Sequence, residues 1–405
     1  MKYNMFNGFG LSKPNKSKKE KVKNDIDKRR VIKISIAVFI ALLIMVILFI
    51  YSNNENFRSF MDTHIFRREV HENNLPEIQI GRNTHVFAHN GNIFTFEQNT
   101  LRAFSRNGNE AFSFDIRVTS PIFASNNNFL AVADKDGSNL YLISGRNILH
   151  RQTLEGRIDN ITVNRNGYVA VARSDASYRA VIELFNRNGN ALFRTFLVTS
   201  NVIDMAISND NRYLAIAEAN LSGIIIQSNI RVISIENART NQSEPTVFAH
   251  MAEAGDLIIK IKYNNRDNLI CMYANRVDSI QNNNTNDKLI DFAYGNVLFV
   301  DVNLNAHIAK VVRENTGLFN SDTILQIIDS NNLDRVNTYE LPGTPRSVHT
   351  YGNMIGVNLG TEVLFINTNG WLVRRYRSSQ EVQGVVMCDG IAAIVHRNRL
   401  EIVSL

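Results

Sequence analysis

A short turn phrase recurs along the chain in matching frames: FSRNGNEAF at 104–112, FNRNGNALF at 185–193 and INTNGWLV from Ile366. Asn-Gly pairs between alternating apolar residues are typical of tight β-hairpin turns. A second phrase, a polar turn before an almost wholly apolar strand, alternates with the first: SNNNFLAVA from Ser125, NRNGYVAVA from Asn164 and SNDNRYLAIA from Ser208. The alternation predicts a repeated unit of four antiparallel strands, A to D, in which strand B is buried on both faces.

Repeats of four strands at intervals of about 40 residues are typical of β-propeller blades. The first strands are predicted near residues 84, 118, 158, 202, 257, 297, 346 and 382. The last unit has only three strands, and we expect the spare strand Leu75–Gly81 to complete it and close the ring. The sequence therefore predicts an all-β propeller with eight blades. Seven blades is the alternative count, because the unit at 257–296 is irregular, and a β-sandwich pair is the alternative fold.

The N-terminal segment is unlike the repeats. Residues 1–33 hold eleven Lys or Arg against three acidic residues, a charge of +8, so the remaining chain carries 6 − 8 = −2. Residues 34–51, ISIAVFIALLIMVILFIY, carry no charge and approach the length of a transmembrane helix. We expect a basic disordered tail (1–33) in the cytoplasm, a transmembrane helix (34–51), a stalk (52–74) and an extracytoplasmic propeller (75–405) at the cell membrane. A signal peptide is the alternative for the apolar segment.

The blade phrases lack the Trp-Asp dipeptide of WD40 repeats, and the chain has a single tryptophan, Trp371. The tail, the apolar helix, the repeats and above all YLAIAEANLSGIIIQSNIRVISIENA (Tyr213–Ala238) resemble a family of uncharacterised, N-terminally membrane-anchored β-propeller proteins of clostridia-like Gram-positive bacteria. The resemblance implies the fold and the anchor. It implies no activity, since that family has none assigned.

Motifs that carry chemistry are scarce in the sequence. His85 and His89 flank a strand, DKDGSNL from Asp134 lacks the Glu that ends a calcium loop, and no Walker, dinucleotide or GxSxG pattern occurs. Cys271 and Cys388 fall in the fifth and eighth units, too far apart for a disulfide. The sequence thus predicts no catalytic, metal or cofactor site. It predicts no nucleic-acid partner either, because the basic charge belongs to the tail.

Two sets of loop residues are candidates for binding. The loops after strand B in units four and six are long and share a Ser/Thr-Gly step followed by apolar residues. They predict a partner-binding patch made of Ile224, Ile225, Ile226, Leu318 and Phe319. The other loops after strand B are charged, and they predict a polar face that includes Asp136, Arg173, Arg276 and His396. The alternatives are a packed hairpin extension for the first set and a solvated rim for the second.

Two functional classes follow from these features. In the first, the propeller is a non-catalytic binding or scaffold module for an envelope protein or a cell-wall glycan. In the second, it is a cell-envelope hydrolase or lyase with a site at the centre of the ring. Propellers serve both purposes, so the fold does not decide between them. The lack of a catalytic motif favours the first class.

Overall fold

The computed structural model describes residues 28–53, 57, 61, 65, 69–71, 75–223, 226–240, 245–281, 284–291, 296–315 and 321–405. The chain divides into two units, Met1–Met61 and Asp62–Leu405. Most of the predicted tail, residues 1–27, lies outside the described residues.

One long helix dominates the first unit: α1 (Lys28–Asn53). Its stretch Ile32–Asn53 is long and apolar enough to cross a membrane, and none of it is buried against protein. The helix begins six residues before the apolar segment and includes the last basic residues of the predicted tail. Lys and Arg are good helix formers, and no Gly or Pro interrupts residues 28–33.

The second unit is an eight-bladed propeller. Two described strands precede blade 1 in the chain: β1 (Glu69–His71) and β2 (Glu77–Gln79). Blade 1 has β3 (His85–His89), β4 (Asn92–Glu97), β5 (Thr100–Phe104) and β6 (Glu110–Asp115). Blade 2 has β7 (Pro121–Asn126), β8 (Phe129–Asp134), β9 (Asn139–Ser144) and β10 (Asn147–Thr153). Blade 3 has β11 (Ile158–Val163), β12 (Val169–Arg173), β13 (Ala180–Phe185) and β14 (Ala191–Leu197). Blade 4 has β15 (Asn201–Ile207), β16 (Tyr213–Asn220), β17 (Gln227–Ser234) and β18 (Thr246–Met251). Blade 5 has β19 (Ile258–Tyr263), β20 (Leu269–Tyr273), β21 (Arg276–Gln281) and β22 (Asn284–Asp291). Blade 6 has β23 (Val297–Asp301), β24 (His307–Asn315), β25 (Ser321–Asp329) and β26 (Asn332–Leu341). Blade 7 has β27 (Ser347–Tyr351), β28 (Met354–Asn358), β29 (Glu362–Asn367) and β30 (Leu372–Arg377). Blade 8 has β31 (Gly384–Cys388), β32 (Ile391–Val395) and β33 (Arg399–Ser404), and its fourth strand is β2. A short helix, α2 (Ile235–Arg239), follows β17.

Four antiparallel strands form each blade, in chain order in blades 1 to 7, and first strands of neighbouring blades, such as β11 and β15, contact each other around the axis. Strand B is buried on both faces, as the apolar repeat phrase predicted; every residue of β12 is buried, for example. The turns before it use positive φ at Asn127, Gly167, Asn211 and Gly390, where Asn and Gly cost least. The eight-bladed prediction is confirmed, including a complete blade 5.

The ring closes as predicted. β2 pairs antiparallel with β33, so the N-terminal strand supplies the fourth strand of the last blade. Ile78 faces Leu400 in this pairing and is 8% exposed. A second strand was not expected. β1, within the segment predicted as a stalk, pairs in parallel with the outer strand of blade 7, where Glu69 and Arg377 form an ion pair.

The hydrophobic core is divided among the contacts between blades. The eight clusters of buried side chains each join two neighbouring blades, so every blade-to-blade contact of the ring has its own core. The cluster around Ile78, Ile93, Cys388 and Leu400 joins blade 8 to blade 1. Closure by β2 therefore contributes directly to the contact between the two ends of the chain.

Candidate functional site

The strand order gives the propeller two distinct ends. The B–C loops and the D–A connections between blades lie at one end, which we call the B–C face. The A–B and C–D turns lie at the other, which we call the turn face. Both sets of predicted site residues belong to the B–C face.

The predicted polar face divides into one exposed residue and three buried ones. Asp136 is exposed, in a turn where its φ is 62°. Arg173, Arg276 and His396 are 4%, 5% and 1% exposed. Since buried charges persist only when they are paired, the partners of these three side chains decide what they do.

Arg173 is held inside blade 3. Its Nε and Nη2 donate to the Glu183 carboxylate at 2.9 and 2.8 Å, and Glu183 is itself 2% exposed. The exposed Arg194 adds a contact of 3.0 Å to the same carboxylate oxygen. The strand register explains the cluster. Glu183 lies opposite Arg194 on β14 and opposite Val171 on β12, and Arg173 is two residues beyond Val171 at the end of β12. The three side chains bind strands B, C and D of one blade together.

Arg276 performs a similar role in blade 5. Its Nε donates to Asp278 at 3.0 Å, its Nη1 pairs with Asp256, and its guanidinium lies 4.0 Å from the centre of the Tyr273 ring. Asp256 belongs to the D–A connection that enters the blade. The arginine therefore attaches this connection to the sheet.

His396 joins blade 8 to its surroundings. Its Nε2 lies 3.0 Å from the Tyr376 hydroxyl of blade 7, and its Nδ1 lies 3.2 Å from the carbonyl oxygen of Glu381 in the D–A connection. Tyr376 also donates to Glu401 at 2.9 Å. All of these side chains are buried, so the group links two blades rather than facing a ligand from solution.

Other polar residues at the end of strand B also have partners within the propeller. The Asp134 carboxylate accepts from the backbone N–H groups of Thr119 and Ser120, both at 2.9 Å. The Asn358 amide donates to the carbonyl oxygen of Val382 at 3.1 Å. These polar side chains satisfy backbone groups of the D–A connections, which have no sheet partners. Polar residues recur after strand B because each connection needs such an anchor.

Charged side chains also occur on the innermost strands. Lys262 donates from Nζ to the carbonyl oxygen of Asn303 at 2.5 Å, and burial lowers the pKa of Lys262 to about 8. Burial raises the pKa of Asp204, whose Oδ2 accepts from the Ile261 backbone at 2.9 Å, and burial lowers the pKa of His349. Lys262 and Asp204 thus connect neighbouring blades. No three of the described His, Cys, Asp and Glu side chains come together as metal ligands would.

The predicted partner-binding patch is mostly outside the described residues: Ile224, Ile225, Leu318 and Phe319 all lie there. Ile226 is described and is 37% exposed at the start of β17. Leu221, on the other side of the same loop, is 51% exposed. The described ends of the blade-4 loop therefore present apolar side chains to solvent.

Other apolar side chains on the B–C face of blades 3 and 4 are also exposed, and the sequence did not predict them. Met251 ends strand D of blade 4 and is 66% exposed, and Val198 follows strand D of blade 3 and is 70% exposed. Tyr178 and Phe196 of blade 3 are also exposed, with ring centres 4.7 Å apart. We call Tyr178, Phe196, Val198, Leu221, Ile226 and Met251 the apolar patch. Side chains alternate along strand D in the same way whether its outer face is exposed or covered. The sequence therefore gives no signal for an exposed outer face.

Comparison with known proteins gives a family and a fold. The model of a family described as "Family of unknown function (DUF5711)" matches residues 68–405. No curated protein matches the chain in sequence.

Among solved structures, BamB from Moraxella catarrhalis is similar at 10% identity and a TM-score of 0.50, covering 81% of this chain and 98% of that one. Chaetomium thermophilum Sqt1 bound to the N-terminus of the ribosomal protein L10 is similar at 14% identity and a TM-score of 0.52, covering 82% and 100%. The dihydro-heme d1 dehydrogenase NirN in complex with DHE is similar at 12% identity and a TM-score of 0.50, covering 82% and 72%. At these identities the likeness concerns the propeller fold alone.

Proposed function

The chain belongs to the DUF5711 family, a family of unknown function, and we propose that its propeller is a non-catalytic binding or scaffold module held at the outer side of the cell membrane. Its partner is an envelope protein or a cell-wall component. The single observation that carries the proposal is the apolar patch on the B–C face.

The apolar patch favours binding over catalysis for a physical reason. Large apolar side chains that stay exposed together on adjacent blades raise the free energy of the free protein, and a partner that covers them lowers it. The buried titratable side chains of the same face, by contrast, already have partners inside the propeller: Glu183 pairs with Arg173, and Asp256 and Asp278 pair with Arg276. A protein surface suits the patch better than a glycan, because Val198, Leu221, Ile226 and Met251 offer no hydrogen bonds to hydroxyl groups.

The membrane location rests on α1. The helix is long and apolar enough over Ile32–Asn53 to cross a membrane, and residues 34–51 carry no charge. Its basic N-terminal end, Lys28 to Lys33, is the end that the positive-inside rule keeps in the cytoplasm. The propeller, which follows α1, is then outside the cytoplasm.

The docking test compares two double variants of the full-length chain by capture of the partner from the organism's own membranes. The Val198→Ser/Met251→Ser pair removes two side chains of the apolar patch, and the Ile225→Ser/Phe319→Ser pair removes two residues of the predicted loops. Burying one side chain of this size is worth about 1.5–3 kcal/mol, so each pair should weaken capture roughly 100-fold or more. The melting temperature should change little, because exposed side chains contribute little to the fold.

The matched control is Val247→Ser/Val336→Ser, which removes exposed aliphatic side chains from strand D of blades 4 and 6 outside the patch. Capture should survive in the control. If both test pairs capture the partner as well as the natural chain does, the apolar docking proposal is wrong, and the exposed Asp136 of the predicted polar face becomes the better candidate. Equal losses of stability and capture would assign the two pairs to the core.

The location has its own test. Protease added to intact, wall-stripped cells should digest the propeller and leave residues 1–33 protected. Cleavage of the tail alone contradicts the orientation. A secreted product that starts near residue 53 identifies the apolar segment as a signal peptide.

A further inference from the structure

Arginine side chains are concentrated on the turn face of blades 1–5. The A–B and C–D turns of these blades contain seven arginines: Arg106, Arg146, Arg165, Arg187, Arg212, Arg239 and Arg266. The same turns contain four acidic residues, Asp210, Glu236, Glu244 and Asp267, and no lysine. Their net charge is 7 − 4 = +3, whereas residues 34–405 together carry −2. The remainder of that region therefore carries −5, so these turns carry a net positive charge on a domain that is otherwise acidic overall.

The acidic residues described on this face already have partners. Asp210 pairs with Arg212, Glu236 pairs with Arg239 at 2.9 Å, and an Asp267 oxygen accepts from the Asn209 side chain at 2.8 Å. Among the described residues, no ion pair involves Arg106, Arg146, Arg165, Arg187 or Arg266, and all five are exposed. Five guanidinium groups are thus available to an anion from outside.

The turns hold these arginines in a fixed arrangement. In the turn of Arg187, the Asn186 side chain accepts from the backbone of Asn188 and Asn190 at 2.9 and 3.0 Å. The Arg187 guanidinium lies 5.3 Å from the centre of the Phe129 ring of blade 2. Such preorganisation reduces the entropy lost when a ligand binds.

The turns of successive blades are also joined to one another. The Asn164 side chain donates to the Ser208 carbonyl oxygen at 2.9 Å, and Asn209 donates to the Asn264 carbonyl oxygen at 2.9 Å. These hydrogen bonds link blades 3, 4 and 5. Arg165, Arg212 and Arg266 are therefore carried on turns that are connected to one another rather than on independent loops.

Two open depressions lie between the arginines and share Tyr168. The first, about 540 Å³, is lined by Leu149, Tyr168 and Arg187 among others. The second, about 330 Å³, is lined by Tyr168, Leu192, Arg212, Tyr213 and Arg239 among others. Apolar and aromatic walls alternate with guanidinium groups along this surface.

From this arrangement we propose that the turn face of blades 2–4 binds an extended acidic segment of a second protein. Its carboxylates contact Arg165 and Arg187, and its apolar or aromatic side chains enter the depressions beside Tyr168. The planar guanidinium group matches a carboxylate in two parallel hydrogen bonds. A polyphosphate or a charged glycan satisfies the arginines but leaves the Leu and Tyr walls in water. The surface is opposite the apolar patch, so the proposal does not depend on the function proposed above.

The test measures binding of a fluorescent glutamate–tyrosine copolymer to the full-length protein in detergent. Reversing two arginines of blade 3, Arg165→Glu/Arg187→Glu, should weaken binding roughly tenfold or more, because two attractive contacts become repulsive. The control, Arg157→Glu/Arg179→Glu, makes the same change in charge at the opposite end of the same blade, where both arginines are exposed. It should leave the affinity within about twofold.

Two further arms decide the chemical class of the partner. Polyglutamate and polyphosphate of matched length should bind more weakly than the copolymer, and vesicles of phosphatidylglycerol should not compete with it. Equal weakening by both arginine pairs overturns the proposal, since it shows a response to net charge alone. Equal affinity for polyphosphate, or displacement by the vesicles, overturns the protein partner in favour of another polyanion or a lipid surface.

Folding and the other face are controlled in the same experiment. The neutral pair Arg165→Gln/Arg187→Gln is measured alongside the reversed pair and should also weaken binding. If the reversed pair proves unstable, the neutral pair provides the test. Val198→Ser/Met251→Ser, on the B–C face, should bind the copolymer normally. Loss of copolymer binding in that variant contradicts a separate site on the turn face.

Discussion

The closing strand β2 offers a direct test of how the ring is held together. Ile78 is buried against Ile93, Leu400 and neighbouring residues of blades 8 and 1. Changing Ile78 to Ala removes three carbon atoms from water-excluded surroundings, a loss of about 2.4 kcal/mol at about 0.8 kcal/mol each. The cavity that remains adds to this cost, so we expect a loss of about 3 kcal/mol within the range of about 2–5 kcal/mol seen for such changes.

The assay is chemical denaturation of the full-length chain, followed in two ways. Far-ultraviolet circular dichroism reports on all strands, and the fluorescence of the single tryptophan, Trp371, reports on blade 7. If β2 closes one cooperative ring, both signals should shift together to lower denaturant in Ile78→Ala. Deleting residues 75–81 should have the same global effect and should promote aggregation through the exposed edge of β33.

Two substitutions serve as controls for Ile78→Ala. Ile161→Ala removes an isoleucine of equal exposure, 8%, from blade 3, where all four strands are contiguous in the chain, and it should cost a similar amount. Gln79→Ala changes the exposed neighbour on β2 and should cost no more than about 0.5 kcal/mol. If Ile78→Ala behaves like Gln79→Ala, or if a chain beginning at residue 83 melts like one beginning at residue 74, the reasoning is refuted.

Two other predictions concern stability. Burial lowers the pKa of His89 to about 4, so the folded state favours the neutral imidazole; stability is complete above the unfolded value near 6.5 and should fall by about 3 kcal/mol between pH 6.5 and 4. In thermal melting, His89→Gln should lose most of this dependence of stability on pH, whereas His85→Gln, at an exposed position, should keep it. An unchanged pH dependence in His89→Gln would count against the assignment. Gly156 has a φ of 81°, and a Cβ there would collide with the Ser174 carbonyl oxygen, whereas Gly91 (φ 71°) faces open space. Gly91→Ala should therefore cost about 1 kcal/mol of unfolding free energy and Gly156→Ala about 2–4 kcal/mol, and equal costs would contradict the steric argument.

The fold could be predicted from the sequence because two local signals repeat in phase. Asn, Asp and Gly mark the turns that need positive φ, and runs such as FLAVA mark strands buried on both faces. The eight predicted first strands begin within three residues of the observed ones, for example near 118 for β7 (Pro121–Asn126). The spare strand was predictable because a blade of three strands leaves an open edge. The pairing of β1 with β30 was not, since EVH is too short and too polar to carry a strand signal.

The sites were harder to predict because the sequence shows charge but not its partners. Arg173 and Arg276 read as surface charges, yet each lies beside carboxylates supplied by another strand or connection. His396 gives no sign of Tyr376, which comes from the preceding blade. Three of the exposed arginines, Arg106, Arg165 and Arg187, are visible in the sequence within the SRNG and NRNG turns. Their significance depends on the ring, which places the A–B and C–D turns of successive blades on one face.

The two faces differ in which residues the ring needs, and this difference bears on function. On the B–C face, Arg173 joins strands B, C and D of blade 3 through the buried Glu183, and Asp134 anchors the D–A connection before blade 2, so replacing either side chain should destabilise its blade. The apolar patch lies on strand D and in loops, which carry none of these anchors. On the turn face the asparagines join the blades, while the arginines beside them point to solvent. On both faces, therefore, the side chains available to partners are separate from those that hold the ring. Changes in Val198 or Arg187 should therefore cost little stability, so the proposed binding roles can be measured at these positions in a folded protein.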